Sequence, residues 1–343
     1  MTRTGQDSPS VFYPPILLPA IEELLAQGVD PSRIEDVFRC TLYELRTPFT
    51  RMPLLLARRF WELAVSTIDD PSIGLACGRR FTSTVTNGLT YLFDVAASLQ
   101  SACTYLGEYS TFFTGCFRIE IVYLEHATEL RFHDCASLLA TPPITDYTLV
   151  SICSMVRRKL LASALDQDPI RSVHLAHLKP ENIGEYDRAF RVPVHWNMPC
   201  HAIQLDSSLF SAQLTPDNHR LEQTLVELLQ MVQTSSPPTL LEHLSNYVAA
   251  HMARGASLQG FCHEQHLLER TAIRRLKAVG WSFTEFLDDT RRFRAHDLLE
   301  HTELDLGDIS DELGYLDVQS FNRACLRWFE QAPGVYRMRR GRG

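Results

Sequence analysis

No Cys-x-x-Cys pair occurs among the nine cysteines, which stand at positions 40, 77, 103, 116, 135, 153, 200, 262 and 325 and are odd in number. No apolar run approaches the roughly 18 residues that a membrane span needs, and the opening MTRTGQDSPS lacks the charged-then-apolar layout of an export signal. These absences lead to the expectation of a soluble chain in a reducing cytoplasm, with no membrane partner. A basic surplus is missing as well. Lys plus Arg number 33 against 41 Asp plus Glu, a formal charge of −8, so any contact with a polyanion has to come from a local patch.

Catalytic and metal-binding patterns are equally thin. HEQH, residues 263–266, is one residue short of the His-Glu-x-x-His zinc helix, whose histidines must stand four apart to share a face. HDC at 133–135 and PCH at 199–201 lack a second ligand pair or a nucleophile–base partner. The expectation is therefore no catalytic residue, no metal and no cofactor, with an enzyme or metal-binding protein kept as the alternative.

What is present is enough apolar material, 45% of 343 residues, for two domains. From residue 16 to about 115 apolar residues return every three or four positions, in ILLPAIEELLAQG, PLLLARRFWELAVSTID and GLTYLFDVAASLQSACTYLGEYSTFF. CFRIEIVYLEHATELRF then alternates apolar and polar residues around a polar break, the pattern of a half-buried antiparallel hairpin. Further strands are expected at IRSVHLAHL and HAIQLD, with a helix over ITDYTLVSICSMVRRKLLASAL between them and the hairpin, so residues 1–233 read as α+β and carry no Gly-rich phosphate loop.

Residues 217–233 place Leu221, Leu225, Leu228 and Val232 in steps of four and three, the seam of a packed helix pair. This predicts either a homodimer contact through residues 217–233 or packing on the helix's own domain. TSSPPT, residues 234–239, reads as a linker to an all-α unit over 240–343.

That last unit repeats itself. Thr271, Ala272, Arg274 and Leu276 return as Ser320, Phe321, Arg323 and Cys325, 49 positions on, while Leu258, Phe261 and Cys262 return as Leu306, Ile309 and Ser310, 48 positions on. One extra residue therefore sits in the second turn. Each copy is a short helix, a tight turn and a second helix with an apolar inner face, the helix-turn-helix plan in which the second helix enters the major groove of double-stranded DNA. Phe321, Cys325 and Phe329 would face the core and leave polar residues at the end that meets base edges. The candidate DNA contacts are Arg270, Thr271 and Arg274 in the first copy and Val318, Gln319, Ser320, Asn322 and Arg323 in the second. Arg matches guanine and Gln or Asn matches adenine, at roughly 1–3 kcal/mol of discrimination per bidentate contact.

Local signals agree with this layout. Gly314 suits a left-handed turn, and Asp317 and Asp305 suit helix caps. Ser282 and Glu285 form a capping box opening a helix whose Phe283, Phe286, Leu287, Phe293 and Leu298 share one face and which would hold the two readers apart. Residues 240–343 hold 14 Lys plus Arg against 15 Asp plus Glu, which counts against DNA binding. The charges are segregated, however: Arg270, Arg274, Arg275 and Lys277 sit on one reader, Arg337, Arg339, Arg340 and Arg342 in the tail, and the acids between 285 and 312. For Arg291 and Arg292, surface charge or intradomain pairing is the favoured reading; for Arg323 it is not.

ISDELGYLDVQSFNRACLRWFEQAPGVYR, residues 309–337, resembles the C-terminal signature of AraC/XylS-type bacterial transcription regulators, and GWSFTEFLDDTRRFRAHDLL is similar to that family's connecting helix. The resemblance covers roughly residues 240–340 and implies binding to two adjacent major grooves. The first copy departs from the pattern at His266, where a turn Gly is usual, at Leu268, where a capping Ser is common, and at Ile273, an often polar reading position. The second copy is therefore expected to contribute more specificity. AFRVPVHWNMPCHAIQLDSSLFSAQLTPDN, residues 189–218, resembles the arabinose-binding-type N-terminal domain of one branch of the family.

That second resemblance implies that residues 1–233 form an effector-sensing and oligomerising domain, without establishing arabinose as the ligand. The fold expected is an α+β N-terminal sensor domain followed by an all-α C-terminal domain with two helix-turn-helix motifs joined by a long helix. The expected function is transcription activation in response to an unknown small-molecule effector, with RNA polymerase as a partner and the bacterial nucleoid as the location. A ligand-independent activator is the alternative. Phe112, Phe113, Phe117, Tyr123, Phe132 and Trp196 are read as core or as lining of an effector pocket.

Overall fold

A computed structural model describes residues 11–46, 51–82, 88–134, 141–162, 167–180, 183–214, 218–235 and 238–338. The chain separates into two compact units, Met1–Pro237 and Pro238–Gly343.

In the first unit β1 (Val11–Phe12) pairs antiparallel with β2 (Met52–Pro53). Around them stand α1 (Leu18–Ala26), α2 (Pro31–Phe38), α3 (Leu54–Ile68), α4 (Ile73–Arg79), α5 (Leu89–Val95) and α6 (Leu99–Thr114). The apolar-periodic stretch from 88 to 113 is two helices because Ser98 opens a new one: its side chain accepts from the Ser101 backbone N–H while the Ser101 side chain returns to the Ser98 backbone. The expected hairpin is β3 (Phe117–Tyr123) and β4 (Ala127–Asp134), paired antiparallel from Phe117↔Asp134 to Tyr123↔Thr128. Phe117 and Ile119 are buried and Arg118 and Glu120 exposed, the alternation that one covered face requires.

The chain continues through α7 (Pro142–Ala162), β5 (Ile170–His174), α8 (Gly184–Phe190), β6 (Val194–His195), β7 (His201–Asp206) and α9 (Ser207–Ser211). The sheet runs β3-β4-β7-β5-β6, parallel only between β5 and β6. Close packing of α4 on α7 depends on two glycines: a Cβ on Gly74 would lie 2.2 Å from the Pro143 carbonyl oxygen, and one on Gly78 would lie 2.8 Å from the Val150 Cβ.

Helix α10 (His219–Ser235) closes the unit. It includes Thr234 and Ser235, so two residues expected in the linker are helical. Its buried residues are Glu222, Leu229 and Val232, while Leu221, Leu228 and Met231 remain exposed. Val232 therefore leaves the expected seam and faces its own unit.

The second unit is all α: α11 (Leu240–His251), α12 (Leu258–Glu264), α13 (Glu269–Ala278), α14 (Phe283–His301), α15 (Leu306–Glu312), α16 (Val318–Phe329) and α17 (Pro333–Met338). Thr239 and Glu242 cap α11 reciprocally. The expected face of the long α14, Phe283, Phe286, Leu287, Phe293 and Leu298, is buried throughout. Among the described residues, no helix is long and apolar enough to cross a membrane.

Candidate nucleic-acid interface

The two copies of the motif match in the cap of the first helix and in the backbone bond that closes the turn. Ser257 caps α12 by accepting from Gly260 N–H at 3.1 Å, and Asp305, 48 positions later, caps α15 by accepting from Asp308 N–H at 2.8 Å. In the turns, Leu267 N–H donates to the Cys262 carbonyl and Tyr315 N–H to the Ser310 carbonyl, again 48 apart. The reader N-caps, Leu268 and Asp317, are 49 apart. The extra residue of the second turn is thus Leu316, whose side chain is fully exposed.

His266 occupies the left-handed region at φ 52°, the place taken by Gly314 at φ 69° in the second copy. His pays some strain there and Gly none. Gly314 is also required by contact, since a Cβ would fall 1.9 Å from the Met252 carbonyl oxygen. Leu268 makes no side-chain cap, whereas the Asp317 carboxylate accepts from Ser320 N–H at 2.6 Å. The hydrogen bonds from the Ser320 backbone and hydroxyl hold the Asp317 carboxyl below its ordinary pKa.

The outward faces follow from these starts. In α13, Ala272 and Leu276 fill the core and Arg270, Arg274, Arg275 and Lys277 are exposed, with Thr271 half-buried. Those four cations make no ion pair among the described residues. In α16, Phe321, Ala324 and Cys325 are buried and Phe329 is half-buried, so the inner face is as expected but opens at its last turn. Val318, Gln319 and Arg323 are exposed and Ser320 and Asn322 half-buried. Arg323 Nη2 donates to Ser320 Oγ at 2.8 Å, which orients the guanidinium along the start of the helix.

Helix α14 fixes the second turn through Arg291, expected as surface charge or intradomain pairing and found bonded within the domain, to backbone carbonyls. Arg291 Nε donates to the Leu313 carbonyl at 2.8 Å and Nη2 to the Gly314 carbonyl at 3.0 Å, with the guanidinium carbon 4.7 Å from the Tyr315 ring centre. Arg294 pairs with Glu312, and Asp288 receives both Arg327 and the Trp328 indole N–H. Ser282 Oγ accepts from Glu285 N–H at 3.2 Å, one half of the capping box expected for α14. Arg339, Arg340 and Arg342 lie outside the described residues.

Family models divide the chain in the same way. Residues 28–214 match the N-terminal arabinose-binding domain of AraC transcription regulators, and residues 261–339 match a helix-turn-helix domain. The chain belongs to the AraC family of DNA-binding transcription regulators. An AraC-family relative, the ornithine utilization regulator of Pseudomonas aeruginosa, is 24% identical over 325 residues, 93% of this chain and 94% of its own. The regulator VirS of Mycobacterium tuberculosis is 22% identical over 281 residues, 81% and 82% of the two chains. The crystal structure of the regulator CdpR from Pseudomonas aeruginosa aligns with 93% of this chain and 96% of its own at 22% identity and a TM-score of 0.46. These relatives are transcription regulators.

The histidine clusters have structural surroundings. His263 lies in the last turn of α12 and His266 in the turn beyond it, so the two do not share a helix face. His133 Nε2 meets Glu120 Oε2 at 2.6 Å across the hairpin. His201 Nδ1 accepts from Ala176 N–H at 3.1 Å, and burial, with His177 beside it, pushes the imidazole pKa down to about 4. Cys135 lies outside the described residues.

Of the six aromatics considered for an effector pocket, Phe113 and Phe117 line a cavity of about 50 Å³. Its wall comes from α5, α6, β3 and α7 and includes Leu89, Ile119 and Met155. Phe132 packs edge-on against Phe117 and Phe112 against Phe113. Tyr123 is 61% exposed, and Trp196 belongs to a separate cluster with Tyr186 and His177.

Proposed function

We propose that this AraC-family regulator is a transcription activator that reads two adjacent major grooves with the N-terminal halves of α13 and α16, in the nucleoid and together with RNA polymerase. The observation that carries this reading is the matched pair of motifs, each offering exposed donors at the start of its second helix. Arg270, Thr271 and Arg274 serve the first groove; Val318, Gln319, Ser320, Asn322 and Arg323 serve the second. The second reader carries more of the specificity, because its cap and turn glycine are intact and Arg323 is oriented by Ser320. Arg275 and Lys277 suit phosphates, which makes affinity fall with salt.

Operator binding at fixed salt tests the ranking. Arg323→Ala should lose about 1–3 kcal/mol of discrimination between the operator and random duplex, and Arg274→Ala less. A larger loss from Arg274→Ala overturns it.

The effector is a small apolar molecule held in the cavity between α6, α7 and β3. The lining supports this: it is aliphatic and aromatic, and its Ser110, Thr114, Thr148 and Ser151 hydroxyls already donate to carbonyls of their own helices. Ornithine, named for one relative, fits poorly, since no lining residue carries a carboxylate for either ammonium group. At about 50 Å³ the cavity must widen to admit a metabolite, so the ligand selects an expanded state of the sensor and shifts that population. Thermal-shift screening should return apolar ligands and not ornithine; stabilisation by ornithine alone would reject this assignment.

Two copies associate through α10. The support is its exposed stripe, Leu221 and Leu228 one heptad apart with the half-buried Leu225 between them.

A further inference from the structure

We propose, building on the reading face assigned to α13 above, that Ile273 recognises the 5-methyl group of a thymine in the groove that this helix enters. Arg270, Ile273, Arg274 and Lys277 stand at i, i+3, i+4 and i+7 and share one side of α13. A homeodomain's reading helix presents its four contact residues at that same spacing. Of these four residues, Ile273 alone has no hydrogen-bonding group, and it is 52% exposed amid three cations.

Packing accounts for only part of Ile273, which stays 52% exposed, and helix formation does not favour it. The core positions of α13 are taken by Ala272 and Leu276, and a β-branched residue is a weaker helix former than the straight-chain alternatives. Contact with DNA does account for it. Thymine is the base that places an apolar methyl in the major groove, and a side chain stiff at χ1 loses little freedom on meeting it. Asn322 takes the equivalent place in the second copy, 49 positions on, and carries the paired donor and acceptor that suit adenine. The two readers would thus question equivalent base pairs by different chemistry, one apolar and one polar.

Ile273 also borders an open groove of about 510 Å³ with Leu258, Trp281 and Phe283. An apolar segment of a protein partner could cover that groove. DNA is the favoured occupant at Ile273 because Arg270, Arg274 and Lys277 surround it without carboxylate partners among the described residues, and a duplex supplies phosphates for them.

The test begins with binding sequences selected from random duplexes by the full chain. The half-site under α13 is the one whose discrimination falls in Arg274→Ala. Each thymine there is then replaced by deoxyuridine, which keeps the hydrogen-bonding edge and lacks the methyl. One replacement should weaken binding about fourfold, the value of one buried methyl (~0.8 kcal/mol), and Ile273→Ala should bind both duplexes alike. Selection with Ile273→Asn should move that position from thymine to adenine. Circular dichroism should find both variants folded, since the position is exposed and Ala is the better helix former.

Indifference of the wild-type chain to every deoxyuridine overturns the proposal, as does full methyl discrimination by Ile273→Ala. Unchanged DNA preference with lost activation in Ile273→Ala assigns the residue to a protein partner and overturns it equally. Failure to select any sequence sinks the DNA-reading face itself, and the proposal with it.

Discussion

Gly314 has two independent reasons to be glycine, its positive φ and the Met252 carbonyl 1.9 Å from where a Cβ would stand. The first reason was legible in the sequence, because a Leu-Gly break ahead of a periodic run is a local signal. The second was not, since Met252 is 62 positions away and only the fold brings it near. Gly314→Ala should therefore destabilise the C-terminal unit by about 3 kcal/mol or more, through strain and a backbone clash together. Denaturant unfolding checks this, and a cost below about 1 kcal/mol would show that the turn yields easily. Arg291 teaches the same lesson in reverse. Its charge was visible in the sequence, but its bonds to the Leu313 and Gly314 carbonyls depend on α14 crossing the second turn.

Among the elements, the helices of the two helix-turn-helix motifs were well specified by local chemistry. Caps at Asp305 and Asp317, a left-handed residue at 266 and 314, and the apolar faces of α14 and α16 all point the same way. The N-terminal unit was legible as a hairpin and a long helix, yet the short β6 and the glycine-mediated contact of α4 with α7 are products of distant pairing. Helix α10 shows where periodicity misleads. A strict heptad reading groups Val232 with Leu221, Leu225 and Leu228, but a straight helix drifts against that repeat, and Val232 turns inward with Leu229 and Glu222. Leu229 packs beside Gly88, where an added Cβ would be 3.1 Å from its Cδ2. The outer stripe is the surface proposed above for a second copy. Leu228→Glu should shift the chain to monomer in sedimentation while leaving its folded circular dichroism unchanged, because Leu228 is 40% exposed. A mass unaltered by the substitution removes α10 from the dimer contact.

At the scale of the whole molecule, the overall charge of −8 and the near balance of 14 cations and 15 acids in residues 240–343 would not mark a DNA-binding protein. The placement of charge does. Four cations without an ion pair among the described residues lie on α13, whereas Arg291, Arg294 and Arg327 are spent on holding α14, α15 and α16 together. The duplicated motif then predicts a duplicated footprint. Methylation interference on a selected operator, which reports guanine N7 in the major groove, tests this most directly. The prediction is two clusters of interference about 10–10.5 bp apart on one side of the duplex, the second of which disappears in Arg323→Ala. A single cluster, or two that both survive Arg323→Ala unchanged, would contradict it.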